Sequence, residues 1–296
     1  MTTVSVIIPA YNRAKLVTKA IDSVLEQTFK DFEIIVINDG STDQTEDALK
    51  PYMDKIRYLY QQNQGRAHAR NRGIEMARGD YIAFLDSDDF WKAEKLQRQI
   101  EFFKQHPDYS VVATQCVVHR VDENLATLEY IQRETVDFEL TYEQIFQRPT
   151  IKTPSVLIRK HCFQEIGVFN EGYNLLEDVD LWIRLARRYK IGFINEPLTF
   201  YTRGHEEGRR DCLEERLNRL KISEENYDPA LISKKLYKKR ISSLHAHIGK
   251  HYIQRGHIAE GKKELLNALA IDWRNLKVLG YYLSAIWKKK GAPKTN

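Results

Sequence analysis

The run IAFLDSDDFW, Ile82 to Trp91, sets Asp86, Asp88 and Asp89 within four positions directly behind an apolar segment. Carboxylates gathered where a strand ends suit a divalent cation, because Mg²⁺ and Mn²⁺ favour carboxylate and phosphate oxygen over imidazole or thiolate. A calcium loop also opens with D-x-D, but here its turn glycine would fall on Trp91 and its bidentate glutamate on Gln97. Neither G-x-G-x-x-G nor G-x-x-x-x-G-K-S/T occurs, so no glycine-rich cradle is available for phosphates. The expected chemistry is a Mg²⁺ or Mn²⁺ ion anchored by aspartate, with the ion in turn anchoring a diphosphate.

Such a cluster must be positioned by regular elements, and the first half of the chain supplies them four times over. Apolar strands are expected at Val4 to Ile8, Phe32 to Ile37, Ile56 to Tyr60 and Tyr81 to Leu85, with helical periodicity between them. Leu16, Ala20, Ile21 and Val24 make one helical stripe, and Ser41 and Thr42 are candidate caps for the next helix. Strands and helices alternating at this spacing imply parallel pairing with right-handed crossovers, and near-continuous apolar strands imply a sheet covered on both faces. The fold class is α/β, a doubly wound and mainly parallel sheet. Ligands of such sheets lie beyond the carboxyl ends of the strands. The residues there are Tyr11 and Asn12, Asn38 and Asp39, Asn63, and the three aspartates. In any single loop Asp and Asn are ordinary turn residues; in four loops that share one edge they point to a site.

Composition limits the rest. The 296 residues, 42% of them hydrophobic, suffice for one large domain and a smaller appendage. Basic and acidic residues number 46 and 41, and the net +5 lacks the concentrated basic face that nucleic acid demands. Cys116, Cys162 and Cys212 are far apart with no CxxC spacing, which argues against a disulfide framework or zinc site and for a reducing cytosol. No charged leader precedes the first apolar run, and no apolar stretch reaches the ~20 residues of a membrane span. A cytoplasmic protein, at most peripheral to the inner face of a membrane, is expected.

Five segments in order, VSVIIPAYNR, FEIIVINDGSTD, NQGRAHARNRGI, GDYIAFLDSDD and LLEDVDLWIRLA, resemble glycosyltransferase family 2, whose members have a GT-A nucleotide-sugar fold. The resemblance covers about the first two thirds of the chain. It implies an inverting transferase that moves a sugar from a nucleoside-diphosphate sugar, UDP-linked above all, to a hydroxyl of a glycan or lipid-linked acceptor in cell-surface glycan synthesis. It places Pro9, Tyr11, Asn12, Asp39, Asn63, Arg70 and Asp86 around the nucleotide. Tyr11 would stack on the base, Asp39 would accept from a uracil imide N–H, and Asp86 would meet the ribose. Asp88 would hold the metal and Asp89 brace the turn. Glu177 and Asp178 fall where the acceptor meets the sugar, with Asp178 as general base; carboxylates in a first helical turn also suit the helix dipole on their own. Trp182, one turn further, is either an acceptor platform or core, and the wall of the site is the favoured place. In FYTRGHEEG, His205 matches a histidine that helps hold metal or diphosphate, although Glu206 and Glu207 depart from the small residues expected beside it. Arg72 reads as a solvated helix residue.

Beyond the transferase region, residues 1–205, strands give way to lysine, leucine and tyrosine at helical spacing over residues 206–296. His247 to Asn275 resembles one tetratricopeptide-type hairpin, with Gly249, Gly256, Ala259 and Ala268 at a close helix crossing. One repeat cannot bury its own face, so it should pack on the catalytic domain or on a second copy. His245, His247 and His251 lack H-E-x-x-H and read as solvated. The tail with Trp287 and Lys288 to Lys290 offers either contact with an anionic membrane or a plain basic terminus. Two readings from other classes compete. A sugar-nucleotide-forming nucleotidyltransferase would need a glycine-rich basic loop that IIPAYNRAKL lacks, and a non-catalytic helical scaffold would not need Asp88 and Asp178. Paired carboxylates also serve glycoside hydrolysis, but that chemistry uses no nucleotide pocket.

Overall fold

The structure is a computed structural model that describes residues 3–122, 125–130, 139–203 and 213–287. The chain divides into two compact units, Met1–Gly208 and Arg209–Asn296.

The first unit is built on one mixed sheet. Its strands are β1 (Val4–Ala10), β2 (Phe32–Asp39), β3 (Arg57–Gln61), β4 (Tyr81–Phe84), β5 (Phe90–Trp91), β6 (Tyr109–Asp122), β7 (Leu125–Tyr130), β8 (Glu139–Leu140), β9 (Val156–Arg159) and β10 (Lys190–Arg203). They lie in the order β3-β2-β1-β4-β9-β6-β10-β5, with β7 on β6 and β8 on β10. β3, β2, β1 and β4 are mutually parallel, as the alternating pattern requires. The sheet then becomes mixed: β9 runs antiparallel to both β4 and β6, while β6 and β10 are parallel. The chain lays β2 and β3 to one side of β1 and returns to place β4 on the other. That reversal opens a crevice at the carboxyl ends of β1 and β4.

Helices α1 (Val17–Leu25), α2 (Thr45–Leu49), α3 (Arg66–Met76), α4 (Lys95–Gln105), α5 (Tyr142–Gln147), α6 (His161–Ile166) and α7 (Glu177–Arg188) complete the unit. Val4, Val6 and Ile8 alternate onto one face of β1, where Ala20, Ile21 and Val24 of α1 and Leu96, Ile100 and Phe103 of α4 cover them. Ile7 points to the opposite face and meets α3 at Gly73. A Cβ at Gly73 would stand 2.3 Å from Ile7 Cγ2, so only glycine lets α3 lie this close to the strand. Pro9 occupies a central strand without disrupting it. Leu85 N–H donates to Ile7 O at 3.0 Å, so alternation turns Pro9 toward the same neighbour, past the end of β4 pairing, where no ladder bond is required of it.

Ser41 and Thr42 do not cap α2, contrary to expectation. Its cap residue is Gln44, without a side-chain bond, and Ser41 and Thr42 instead meet Asn12 of the preceding loop.

The second unit consists of α8 (Leu213–Glu225), α9 (Lys234–Gln254), α10 (Ile258–Ile271) and α11 (Leu276–Trp287) among the described residues. α9 and α10 form the hairpin, and Ala246, Leu265, Ala268 and Val278 make its small core. The crossing uses Gly249, where a Cβ would lie 2.8 Å from Gly261 O. Gly256, at φ +87°, serves the turn, and Ala259 is exposed instead of packed. The histidines also differ from their solvated reading. His245 Nδ1 bonds Glu264 Oε2 at 2.6 Å and His251 is buried, so only His247 is exposed.

Candidate active site

Tyr11 directly follows β1 and is 46% exposed, leaving an aromatic face open at the crevice. Asn12 takes a left-handed conformation, φ 53°, and is held there by its neighbours. Its Oδ1 accepts from Thr42 N–H at 2.8 Å while its own N–H donates to Ser41 Oγ at 3.0 Å. Asn12 thus ties the loop after β1 to the loop after β2 and fixes the approach of Tyr11.

Asp39 ends β2 and is buried. Its Oδ1 accepts from Gln61 Nε2 at 2.7 Å and Gln64 N–H at 3.0 Å, and its Oδ2 from Gly65 N–H at 2.9 Å. The carboxylate therefore organises the loop after β3, and Oδ2 keeps capacity for one more donor. Asn63, in that loop, is exposed. A Cβ on Gly40, at φ +76°, would lie 2.7 Å from Asn63 N, so glycine is what permits the two loops to meet.

Arg70 is the centre of the arrangement. Buried in α3, it donates through Nη2 to Asp86 Oδ1 and through Nη1 to Glu177 Oε1, each at 2.7 Å. Asp86 belongs to the end of β4 and Glu177 to the first turn of α7, 107 residues from Arg70 in sequence. One guanidinium joins the cluster beyond β4 to the start of α7. Burial opposes its charge, but Asp86 and Glu177 more than offset this and hold it firmly protonated. Burial pushes the Glu177 carboxyl up against the opposing pull of Arg70 and Arg66.

Asp88 is part-exposed, with Arg13 Nε 3.9 Å from its Oδ2. Asp89 is buried and braces β10: its Oδ1 accepts from Thr202 N–H at 2.7 Å, and its buried Oδ2 has no partner among the described residues. Burial, followed by the charges of Asp86 and Asp88, drives its carboxyl well above the usual range. Asp178 lies beside Glu177. Its Oδ1 accepts from Val179 N–H at 2.8 Å and its Oδ2 from Thr153 Oγ1 at 3.2 Å.

Trp182 corrects the expectation of a site wall. It is completely buried and packs edge-on against Phe169, with ring centroids 6.4 Å apart, so it has no surface to offer an acceptor. One turn past Asp178 the helix faces core. Arg72 pairs with Glu75 on the solvent side of α3. His205, Glu206 and Glu207 lie outside the described residues, as do Lys288 to Lys290.

Sequence reasoning missed Arg13, Arg66 and Thr153. Arg66 Nε stands 3.0 Å from Glu177 Oε1, and its i,i+4 spacing from Arg70 was the available signal. Nothing local marked Thr153.

No three His, Cys, Asp or Glu side chains converge on a metal cage among the described residues. The donor set fits a different arrangement, in which a hard cation is held by one or two carboxylates and mostly by phosphate oxygens and water. Asp88, at the strand end and reachable from solvent, suits that arrangement.

Residues 5–167 match the sequence profile of Glycosyl transferase family 2. The chain belongs to that family. An uncharacterized glycosyltransferase of Rickettsia typhi is 35% identical over 203 residues, 66% of this chain and 62% of that relative. The putative teichuronic acid biosynthesis glycosyltransferase TuaG of Bacillus subtilis is 32% identical over 209 residues, 67% of this chain and 78% of its own length. Among solved structures, S. aureus TarS 1-349 in complex with UDP-GlcNAc superposes with a TM-score of 0.66 at 19% identity, covering 91% of this chain and 81% of that one. The fold is GT-A, as the motif resemblance implied.

Proposed function

We propose that this family 2 chain moves a sugar from a UDP-linked donor to a hydroxyl of a glycan or lipid-linked acceptor, inverting the anomeric carbon, during cell-surface glycan synthesis. The observation that carries the reading is the buried Arg70 bridge, which couples a strand-end aspartate cluster to a pair of carboxylates at a helix start. A donor side and an acceptor side thereby face one crevice. The teichuronic acid assignment of TuaG and the UDP-GlcNAc complex of TarS support the substrate classes.

In this reading Tyr11 stacks on the base, an interaction worth about 1–3 kcal/mol. The remaining acceptor capacity of Asp39 Oδ2 takes the imide N–H of uracil. Asp86 meets the ribose, and Asp88 holds the cation. When bound, that cation offsets charge on the departing diphosphate. Asp178 takes the proton of the attacking hydroxyl as its oxygen bonds C1 and the C1–O bond to the diphosphate breaks, the electron pair leaving with UDP. Arg70 and Glu177 hold the two sides in register.

Asp88→Asn tests the donor half. UDP affinity in Mn²⁺, read by calorimetry, should fall by at least about 10–100-fold, the scale on which even outer-shell groups act, and approach the metal-free value. Equal losses with and without Mn²⁺ would show that Asp88 serves the fold and not the cation.

Charge supports a place for the second unit. Residues 209–296 hold 20 of the 46 Lys and Arg but only 9 of the 41 Asp and Glu, so that unit carries +11 and the first unit −6. No helix among the described residues is long and apolar enough to cross a membrane. We assign the basic unit to an anionic membrane surface, where each nearby Lys or Arg contributes about 1 kcal/mol. The full chain should sediment with vesicles containing anionic lipid and stay in solution with neutral ones. Equal sedimentation with both, or with neither, would remove this assignment.

A further inference from the structure

Three side chains that touch neither donor nor acceptor groups form a buried polar chain. Lys95, at the start of α4, is completely buried; its Nζ bonds Gln99 Oε1 at 2.8 Å and lies 3.9 Å from the centre of the Trp91 indole. It has no ion pair among the described residues, and burial pushes its ammonium down to about 7. A lysine kept inside a domain on those terms is costly, so what it supports matters. Gln99, oriented by Lys95, donates through Nε2 to Val112 O at 3.1 Å and to Ser155 O at 2.9 Å. Trp91 Nε1 donates to Pro154 O at 2.8 Å. Both donors therefore end on one 3-10 turn, Thr153–Ser155. Ser155 closes that turn through Oγ and N–H bonds to Lys152 O, at 2.7 and 2.9 Å. The turn then presents Thr153, itself buried, whose hydroxyl reaches Asp178 Oδ2.

We propose that Thr153 is a positioning residue for Asp178, and that Trp91, Lys95 and Gln99 form the brace that holds its turn. The proposal rests on the reading of Asp178 as the base. The physical reason is orientation. Val179 N–H on Oδ1 and Thr153 Oγ1 on Oδ2 fix both ends of one carboxylate, and a displacement of about 1 Å in such a group can cost about 100-fold in rate. The Val179 bond is local to the helix. Among the described residues, the Thr153 bond alone ties the carboxylate to the sheet side of the crevice.

The test uses UDP release by the full chain in Mn²⁺ from the best hydrolysed member of a UDP-sugar panel, water acting as acceptor. Thr153→Val keeps the shape and removes the donor. It should lower kcat by about 10–100-fold with donor KM within about twofold, and Thr153→Ser should restore most of the rate. Trp91→Phe removes the indole donor to the turn and keeps an aromatic ring beneath Lys95. It should lower kcat in the native background and add little to Thr153→Val, because both act through one bond. An unchanged kcat in Thr153→Val, or equal losses in Thr153→Val and Thr153→Ser, overturns the positioning role. Additive losses overturn the brace. Near-normal release by Asp178→Asn would instead sink the base assignment on which the proposal stands, and so would a wild-type chain that hydrolyses no UDP-sugar.

Discussion

Asp178→Asn is expected to lower sugar transfer by about 10²–10⁴-fold, the range for a positioned acid or base, with UDP affinity in Mn²⁺ within about twofold of wild type. Asparagine preserves the size of the side chain: its Oδ1 can still accept from Val179 N–H, and its Nδ2 can donate to Thr153 Oγ1, so the local geometry survives. What disappears is the basicity. The alternative is that Asp178 serves only the first turn of α7, where Glu177, Asp178 and Asp180 together suit the helix dipole. Asparagine would then change little. Single-turnover measurement of UDP release separates the outcomes, since it excludes product departure as the limiting step. Near-normal turnover with unchanged affinity would rule out the base. Glu177→Gln should act differently: it weakens the partner of Arg70 and should disturb donor affinity and stability together.

The second large effect belongs to Arg70. Arg70→Met leaves the Glu177 carboxylate and one oxygen of Asp86 without their common partner, and stripping one side of a buried ion pair costs about 3–5 kcal/mol. Urea unfolding should register that loss at pH 8. The loss should shrink toward pH 5. Burial already raises the Glu177 carboxyl with Arg70 in place, and without the guanidinium it rises further. The folded variant then holds a proton that the unfolded chain gives up, so its stability increases as pH falls through that window. Adding Glu177→Gln should recover part of the stability at pH 8 and leave little pH dependence. A loss below about 1 kcal/mol at both pH values would contradict the bridge, since exposed pairs seldom contribute more than that.

The four parallel strands were legible because each is a short apolar run closed by polar turn residues, and helical periodicity separates them. The same pattern placed Tyr11, Asp39 and Asp86 at one edge, since residues that end parallel strands in one sheet must share that edge. The antiparallel insertion of β9 was not legible. A four-residue apolar strand carries no mark of its direction, which depends on which neighbours remain unpaired when it docks.

Side-chain periodicity says which residues share a stripe; packing decides what the stripe meets. Trp182 lies one turn past Asp178, and that spacing is compatible with a crevice wall or with core. Contact with Phe169 settled it as core. Ser41 and Thr42 have cap chemistry, but they bond Asn12 of another loop, and the helix begins beyond them at Gln44. Alone, then, the sequence determined the strand-and-helix alternation, the edge on which polar groups gather, and the family. Only the tertiary structure decided that Arg70 links Asp86 with Glu177, and that a turn braced by Trp91 and Gln99 sets Thr153 against Asp178. The reason is physical. Local patterns encode propensity and burial over a few residues, whereas a buried charge needs a partner, and the chain supplied that partner from 107 positions away.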